Sequence, residues 1–196
     1  MDANLFVMES GGVVKSTDLK CMAGKMSEVR FDRARAGRGD VLGDPNGGWD
    51  LMGRIMDTAA VASCCTAAGM AGQVLDMTVA YAKDRKQFDR PIGSFQAIQH
   101  YCADMFIDVE SIRLSAYHAA WRITQGLSFA EQAAQARGVA IDAGERVISL
   151  AHQIHAAIGV TMEYDLHYYT RGMKAALLSF GDASSLHEVV ARSMGL

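Results

Sequence analysis

The stretch Tyr81-Ala-Lys-Asp-Arg-Lys-Gln-Phe-Asp-Arg-Pro-Ile-Gly-Ser-Phe-Gln-Ala-Ile-Gln-His100 decides how this sequence is read. Upstream of it, Trp49 to about Lys83 is rich in Ala, Met, Leu and Gln and free of proline, which predicts one long helix. Pro91 breaks the chain, and Gly93-Ser94 marks a new helix start. From Phe95 to about Thr124, the residues Phe95, Ile98, Cys102, Met105, Val109, Ile112, Ala116 and Ala119 recur at steps of three and four. That is the period of a helix with one apolar stripe. The stretch is therefore a tight, charged connection between two long helices.

Further along, Gly126 ends the second helix, and Ser128-Phe-Ala-Glu131 has the form of a capping box. It opens a third helix to about Ala157, which Gly159 stops. A fourth helix, about Tyr164 to Leu178, and a short fifth, Ser184 to Arg192, complete the chain. Long helices on short connections predict an antiparallel four-helix bundle over residues 47–196. Before Gly48 the segments are short and broken by glycines; Leu5–Glu9, Val13–Ser16 and Ser27–Phe31 read as strands. Residues 1–46 are too little for an independent β domain and read as part of a sheet completed elsewhere. The fold class is mainly α, with a few strands of a truncated β domain ahead of the bundle.

A net charge of -3 weakens any nucleic-acid reading, which needs a basic face. No apolar run approaches the length of a membrane span without a polar break, so no membrane role is expected. The first residues, Met-Asp-Ala-Asn, lack the basic start of a secretory signal. Cys21, Cys64, Cys65 and Cys102 form no CxxC pair and fit buried thiols in a reducing cytoplasm. His152 and His155 share a helix face, but no carboxylate stands at metal-site spacing, so core or surface histidines are expected and no metal. No nucleophile elbow, P-loop or Rossmann glycine pattern is present.

On residue chemistry, the connection is a candidate phosphate or nucleotide site. Arg85 can make a bidentate contact to a phosphate, Phe88 offers a flat face, and Phe95-Gln96 opens a helix whose N-terminus favours an anion. A solvated connector is the bland alternative.

Residues 81–100 resemble the signature of acyl-CoA dehydrogenases, FAD enzymes that desaturate acyl-CoA thioesters. A second match is Gln153-Ile-His-Ala-Ala-Ile-Gly-Val-Thr-Met-Glu-Tyr-Asp-Leu166, with Arg171 following. Asn4 to Trp49, with Val41-Leu42-Gly43, is similar to the second half of the family's middle β domain. The resemblance covers the whole chain, but the chain covers only about half of a family member. It implies a C-terminal four-helix bundle, with FAD lying between β domain and bundle and across a dimer interface. Arg85, Gln87, Phe88 and Gln96 would touch the adenosine-diphosphate part of a neighbouring subunit's FAD. Gln153 and the Ala156-Ala157-Gly159 backbone would lie along its pyrophosphate. The implied partners are an acyl-CoA substrate, a homo-oligomer or a hetero-oligomer with a longer acyl-CoA dehydrogenase subunit, and an electron-transfer acceptor. The location expected is cytoplasmic.

The departures from the family pattern point one way. The catalytic glutamate that follows an aromatic residue in most members is replaced by Gly181, and the alternative position on the first long helix holds Ala59. Asp182 and Asp57 are weak substitute candidates. Ala60 stands where an arginine is usual, Ala156-Ala157 where paired glycines are usual, and Ala183 where a threonine is usual. The FAD-and-substrate half of the site is eroded while the Arg85–Phe88 segment given to the neighbour's FAD is kept. The chain thus resembles the incomplete partner of two-subunit members. A catalytic subunit with an unusual base, a truncated fragment, and a structural or interaction module without flavin remain as alternatives.

Overall fold

The computed structural model describes residues 13–19, 26–32, 37–41, 43–44, 47–180, 190–191 and 195. The chain divides into two compact units, Met1–Met56 and Asp57–Leu196. In the first, β1 (Val13–Leu19) pairs antiparallel with β2 (Met26–Asp32), Val13 opposite Asp32 and Leu19 opposite Met26. These strands contain the expected Val13–Ser16 and Ser27–Phe31. The expected strand Leu5–Glu9 lies outside the described residues, as does the fifth helix apart from residues 190–191, which are helical.

Four long helices follow: α1 (Gly48–Asp84), α2 (Gln96–Thr124), α3 (Ala130–His155) and α4 (Leu166–Leu178). Small residues set how closely they pack. Cys64, Ala67, Ala71 and Val74 of α1 join Met105, Val109, Ile112 and Ala116 of α2, Ala136, Ala140 and Val147 of α3, and Leu166 and Met173 of α4 in one core. A Cβ on Gly144 would lie 3.0 Å from Met173 Sδ, so α3 and α4 approach through that glycine.

Cross-links fix the helix directions. Asp108 of α2, 7% exposed, accepts from Arg146 Nε and Nη2 of α3 at 3.0 and 2.6 Å. Thr170 of α4 bonds His152 of α3 at 2.8 Å, and Lys174 pairs with Glu145. Ser63 near the start of α1 donates to the Ala176 carbonyl near the end of α4 at 2.8 Å. Consecutive helices therefore run antiparallel, in the up-down-up-down order that short connections favour.

Four details differ from the sequence reading. The connection after α1 is a small hairpin, with β3 (Lys86–Gln87) pairing antiparallel with β4 (Arg90–Pro91), followed by a 3-10 turn, Ile92–Ser94. The capping box does not form. Phe129 takes the N-cap of α3 without a side-chain bond, so the helix begins one residue later, and the Ser128 carbonyl accepts from Arg122 Nε at 2.7 Å. Helix α3 ends at His155 rather than Ala157, since Ala156 turns to φ 53° and leads into a 3-10 turn, Ala156–Val160. Finally, α1 is long and apolar enough to cross a membrane by length and composition, contrary to expectation. Its alanines, cysteines and methionines raise hydropathy, and its buried stripe packs into the bundle core.

Candidate functional site

The hairpin register places Lys86 opposite Pro91 and Gln87 opposite Arg90, leaving Phe88 and Asp89 as a two-residue loop. Two-residue loops favour turns with positive φ, because that twist matches the strands. Phe88 has φ 53° and Asp89 φ 63°. Asp tolerates this region, whereas for a bulky residue such as Phe it is strained. The hairpin is closed behind the tip by the Ile92 N–H, which donates to the Arg85 carbonyl at 2.8 Å. Gly93 allows a close approach here: a Cβ would lie 3.0 Å from the Ala82 carbonyl oxygen, a backbone atom. The Phe88 ring is 86% exposed, with its edge toward Phe95 at 6.1 Å, while Arg90 lies 4.0 Å over the Phe95 ring.

Across the bundle end from the hairpin, α3 stops in the Ala156–Val160 turn. The two segments meet in a groove of about 480 Å³, whose walls include Tyr81, Arg85 and Gln87 on one side and His155, Ala156 and Ala157 on the other. Ala156 (φ 53°, ψ -135°) joins Phe88 and Asp89 as the third non-glycine residue of positive φ among the described residues. All three sit on the two segments that form this groove, and backbone strain of this kind gathers at functional sites.

A buried aromatic wall supports the groove. His155 is 1% exposed and stacks on Tyr81 at 4.5 Å. Its Nδ1 lies 2.8 Å from the Ala151 carbonyl, which can only accept, so Nδ1 carries the proton. Nε2 of the neutral ring then accepts from the Tyr164 hydroxyl at 3.0 Å. Burial is the main cause that pushes the His155 pKa down; the Ala151 bond opposes it and His152 reinforces it. Burial likewise pushes the Tyr164 phenol up, with Tyr81 and Asp165 adding to the effect.

Of the residues singled out in the sequence, Arg85, Gln87, Ala156 and Ala157 share the groove. The Arg85 guanidinium has no hydrogen bond or ion pair among the described residues, and Gln87 Nε2 donates to its neighbour's carbonyl at 2.9 Å. Phe88 stands at the hairpin tip. Gln96, exposed, opens α2, whose N-cap Phe95 gives no side-chain cap. Gln153 is exposed on α3, outside the groove lining. Gly159 is buried against His155 Cβ, 3.0 Å from where its own Cβ would be, and serves packing. His152 and His155 take separate partners, Thr170 and Tyr164. The sequence reading missed the pairing of His155 with Tyr81; a histidine on the apolar stripe of α3, beside Ile154 and Ala151, was the available signal.

A second cluster lies at the other end of the bundle. Gly181 and Asp182 lie outside the described residues, but Phe180, which precedes them, lines a small cavity with Ala60, Ser63, Cys64 and Arg137. Ala59, next to Ala60, is half-buried. One Arg137 nitrogen, Nη2, is buried with no hydrogen-bond partner among the described residues. Burial raises the Asp57 carboxyl, opposed by Arg137, and lowers the Arg137 guanidinium. Burial also pushes the Cys64 thiol up to about 12, which makes it inert as a nucleophile.

Residues 46–195 match the family described as acyl-CoA dehydrogenase, C-terminal domain. This chain belongs to the acyl-CoA dehydrogenase family. It is 33% identical over 168 residues to the probable acyl-CoA dehydrogenase YngJ of Bacillus subtilis, covering 86% of this chain and 44% of that protein. It superimposes on the butyryl-CoA dehydrogenase of Megasphaera elsdenii with a TM-score of 0.92 and 26% identity, over 98% of this chain and 52% of the other. The ChsE4–ChsE5 complex of Mycobacterium tuberculosis is also similar, with a TM-score of 0.87 and 29% identity over 98% of this chain and 52% of that one. The chain spans about half the length of the relatives it matches.

Proposed function

We propose that this chain is a subunit of an FAD-dependent acyl-CoA dehydrogenase, that it lends its Arg85 segment to a flavin, and that it lacks its own catalytic glutamate. The observation that carries this reading is the meeting of Arg85 and Gln87 with Ala156-Ala157 in one groove. These are the two segments whose sequences resemble the family's flavin-contacting motifs.

The residues fit the diphosphate of such a cofactor. Arg85 offers a cation with a bidentate donor set and no ion pair among the described residues, and Gln87 a neutral amide. The uncapped N-terminus of α2 adds partial positive charge near Gln96. Bound FAD would supply the hydride acceptor for α,β-desaturation of an acyl-CoA thioester. The chain's own part is to bind and orient through Arg85, Gln87, Phe88 and Gln96, with Gln153 and Gly159 bordering the second segment. The Tyr81–His155–Tyr164 wall holds the turn at Ala156 and keeps water from the groove floor.

Removal of the substrate's α-proton needs a base. Neither Ala59 nor Gly181 carries a carboxylate. Asp57 shares the core stripe of α1 with Val61 and Cys64 and is held near Arg137. We therefore assign proton abstraction to a longer family subunit in a hetero-oligomer, with homo-oligomerisation as the simpler assembly. A similar structure that is a complex of two proteins, ChsE4 and ChsE5, supports the two-subunit form. In this reading residues 1–46 are part of the middle β domain and 47–196 the bundle, electrons pass on to an electron-transfer acceptor, and the assembly works in the cytoplasm.

The test is flavin content of the assembled complex. A charge-assisted contact is worth about 1.5–3 kcal/mol, so Arg85→Ala weakens FAD retention by about ten- to a hundredfold with helicity unchanged, and Arg85→Lys restores part of it. Unchanged flavin affinity in Arg85→Ala, or colourless parent protein, overturns the proposal.

A further inference from the structure

Three helices leave a small void between them. Ala60 and Cys64 of α1, Ile141 of α3 and Leu177 of α4 line a cavity of about 10 Å³, and Phe180 completes its apolar wall. Ala60, Cys64 and Leu177 are buried. Into this setting α3 brings the guanidinium of Arg137. Its Nη2 is buried and has no hydrogen-bond partner among the described residues. The Phe180 ring lies 6.0 Å from the guanidinium carbon, a contact that sets the cation over a π face and leaves the Nη2 hydrogens unfilled. No carboxylate lines the cavity among the described residues. Asp57 acts on Arg137 through its field and makes no ion pair with it among those residues. A buried donor on a charged group is costly to leave unmet, so the void calls for an acceptor.

Size and hydrogen accounting select that acceptor. A space of this volume takes one particle about as large as a water. A carboxylate, phosphate or sulfate is too large for it. A water would accept from Nη2 but has two hydrogens of its own to place. Ser63 Oγ is the one side-chain oxygen in the lining among the described residues, and it donates to the Ala176 carbonyl at 2.8 Å. Cys64 brings a thiol that burial pushes up to about 12, so it keeps its hydrogen at neutral pH. The lining therefore offers N–H and S–H hydrogens and a positive charge, against a single side-chain oxygen. A monatomic anion accepts from both donors and has no hydrogens to place.

We propose that the cavity between α1, α3 and α4 is a binding site for a monatomic anion, chloride in ordinary salt, held by Arg137 Nη2. The bound anion answers the buried charge and ties the three helices together. The inference does not depend on the flavin reading, since none of these residues borders the groove.

The experiment follows thermal melting of the full chain at fixed ionic strength, with chloride replacing gluconate stepwise up to about 0.15 M. Gluconate and acetate serve as monovalent anions too large for the cavity. Chloride raises Tm saturably, by about 3–6 °C once it stands tenfold above its dissociation constant. Acetate does not reproduce the rise. Arg137→Gln, which keeps a polar side chain and removes the charge, melts at the same temperature in chloride and in gluconate. Chlorine NMR gives a second reading: the parent broadens the chloride line and Arg137→Gln does not. If Arg137→Gln fails to fold, the comparison of chloride with gluconate and acetate in the parent decides alone. Equal melting of the parent in chloride and gluconate overturns the proposal and leaves at most a water in the cavity. An acetate effect as large as that of chloride, or a chloride effect that persists in Arg137→Gln, assigns the rise to the surface and overturns it as well.

Discussion

Replacing Ala156 by glycine should stabilise this protein, although the same change one residue later should destabilise it. Ala156 sits at φ 53° and ψ -135°, a conformation open to glycine and unfavourable for any residue with a Cβ. Strain of this kind costs of order 1–3 kcal/mol. Glycine removes it but frees the unfolded chain by about 0.4–1 kcal/mol. The net gain is about 1 kcal/mol, which for a chain of this size raises Tm by about 2–4 °C. The methyl group is exposed, so no burial is lost. Ala157 has the same side chain but lies in the 3-10 turn without positive φ, so Ala157→Gly only adds entropy to the unfolded state. Its Tm should fall by a similar amount. Thermal melts of the two variants beside the parent decide the matter. A fall in Tm for both variants would show that the Ala156 backbone stores no strain. The gain also has a functional side. Ala156 faces the groove opposite Arg85, and a bare backbone there allows closer approach of a ligand's phosphates. If the groove holds flavin as proposed, its retention should therefore rise in Ala156→Gly along with Tm.

Two further variants probe the supports of the groove. His155 is buried neutral with its pKa depressed below the unfolded value of about 6.5. The unfolded chain therefore binds the proton first, and the stability present above about pH 6.5 is lost as pH falls toward the depressed folded value. His155→Phe, which keeps the stack on Tyr81 and removes the titration, should flatten the fall of Tm between about pH 7 and 5. An equally steep fall in that variant assigns the acid sensitivity elsewhere, with His152, depressed in the same direction, as the first candidate. Gly93→Ala should lower Tm by several degrees, because its Cβ would press on the Ala82 carbonyl at 3.0 Å and overpacking of this kind costs about 1–3 kcal/mol; an unchanged melt would mean that the hairpin shifts freely.

The bundle was legible because its signals are long and repeated. The stripe from Ile98 to Ala119 gives α2 its period, and Pro91, Gly126 and Gly159 mark where helices cannot continue. The hairpin at Lys86–Pro91 was not legible for the opposite reason. Two-residue strands have no period, and its Phe88-Asp89 tip lacks the Asn-Gly pattern that announces a tight turn. The Ser128–Glu131 capping box failed because the N-cap falls one residue late, at Phe129, and Ser128 is engaged through its carbonyl by Arg122, a residue outside the motif. The site divides along the same line. Arg85 and Gln87 could be named from their own segment and Ala156-Ala157 from theirs, but nothing local says that the two segments face each other. That pairing is set by the up-down order of the bundle, which brings the end of α1 beside the end of α3 and stacks Tyr81 on His155. One further reading was available by counting alone. Asp57, Val61 and Cys64 fall at helical spacing on a single stripe, and Cys64 is 2% exposed. A carboxylate on that stripe faces the bundle, where Arg137 lies. The helical period that defines the fold thus already turns Asp57 toward Arg137, and that placement is what the proposal of a base from a longer subunit rests on.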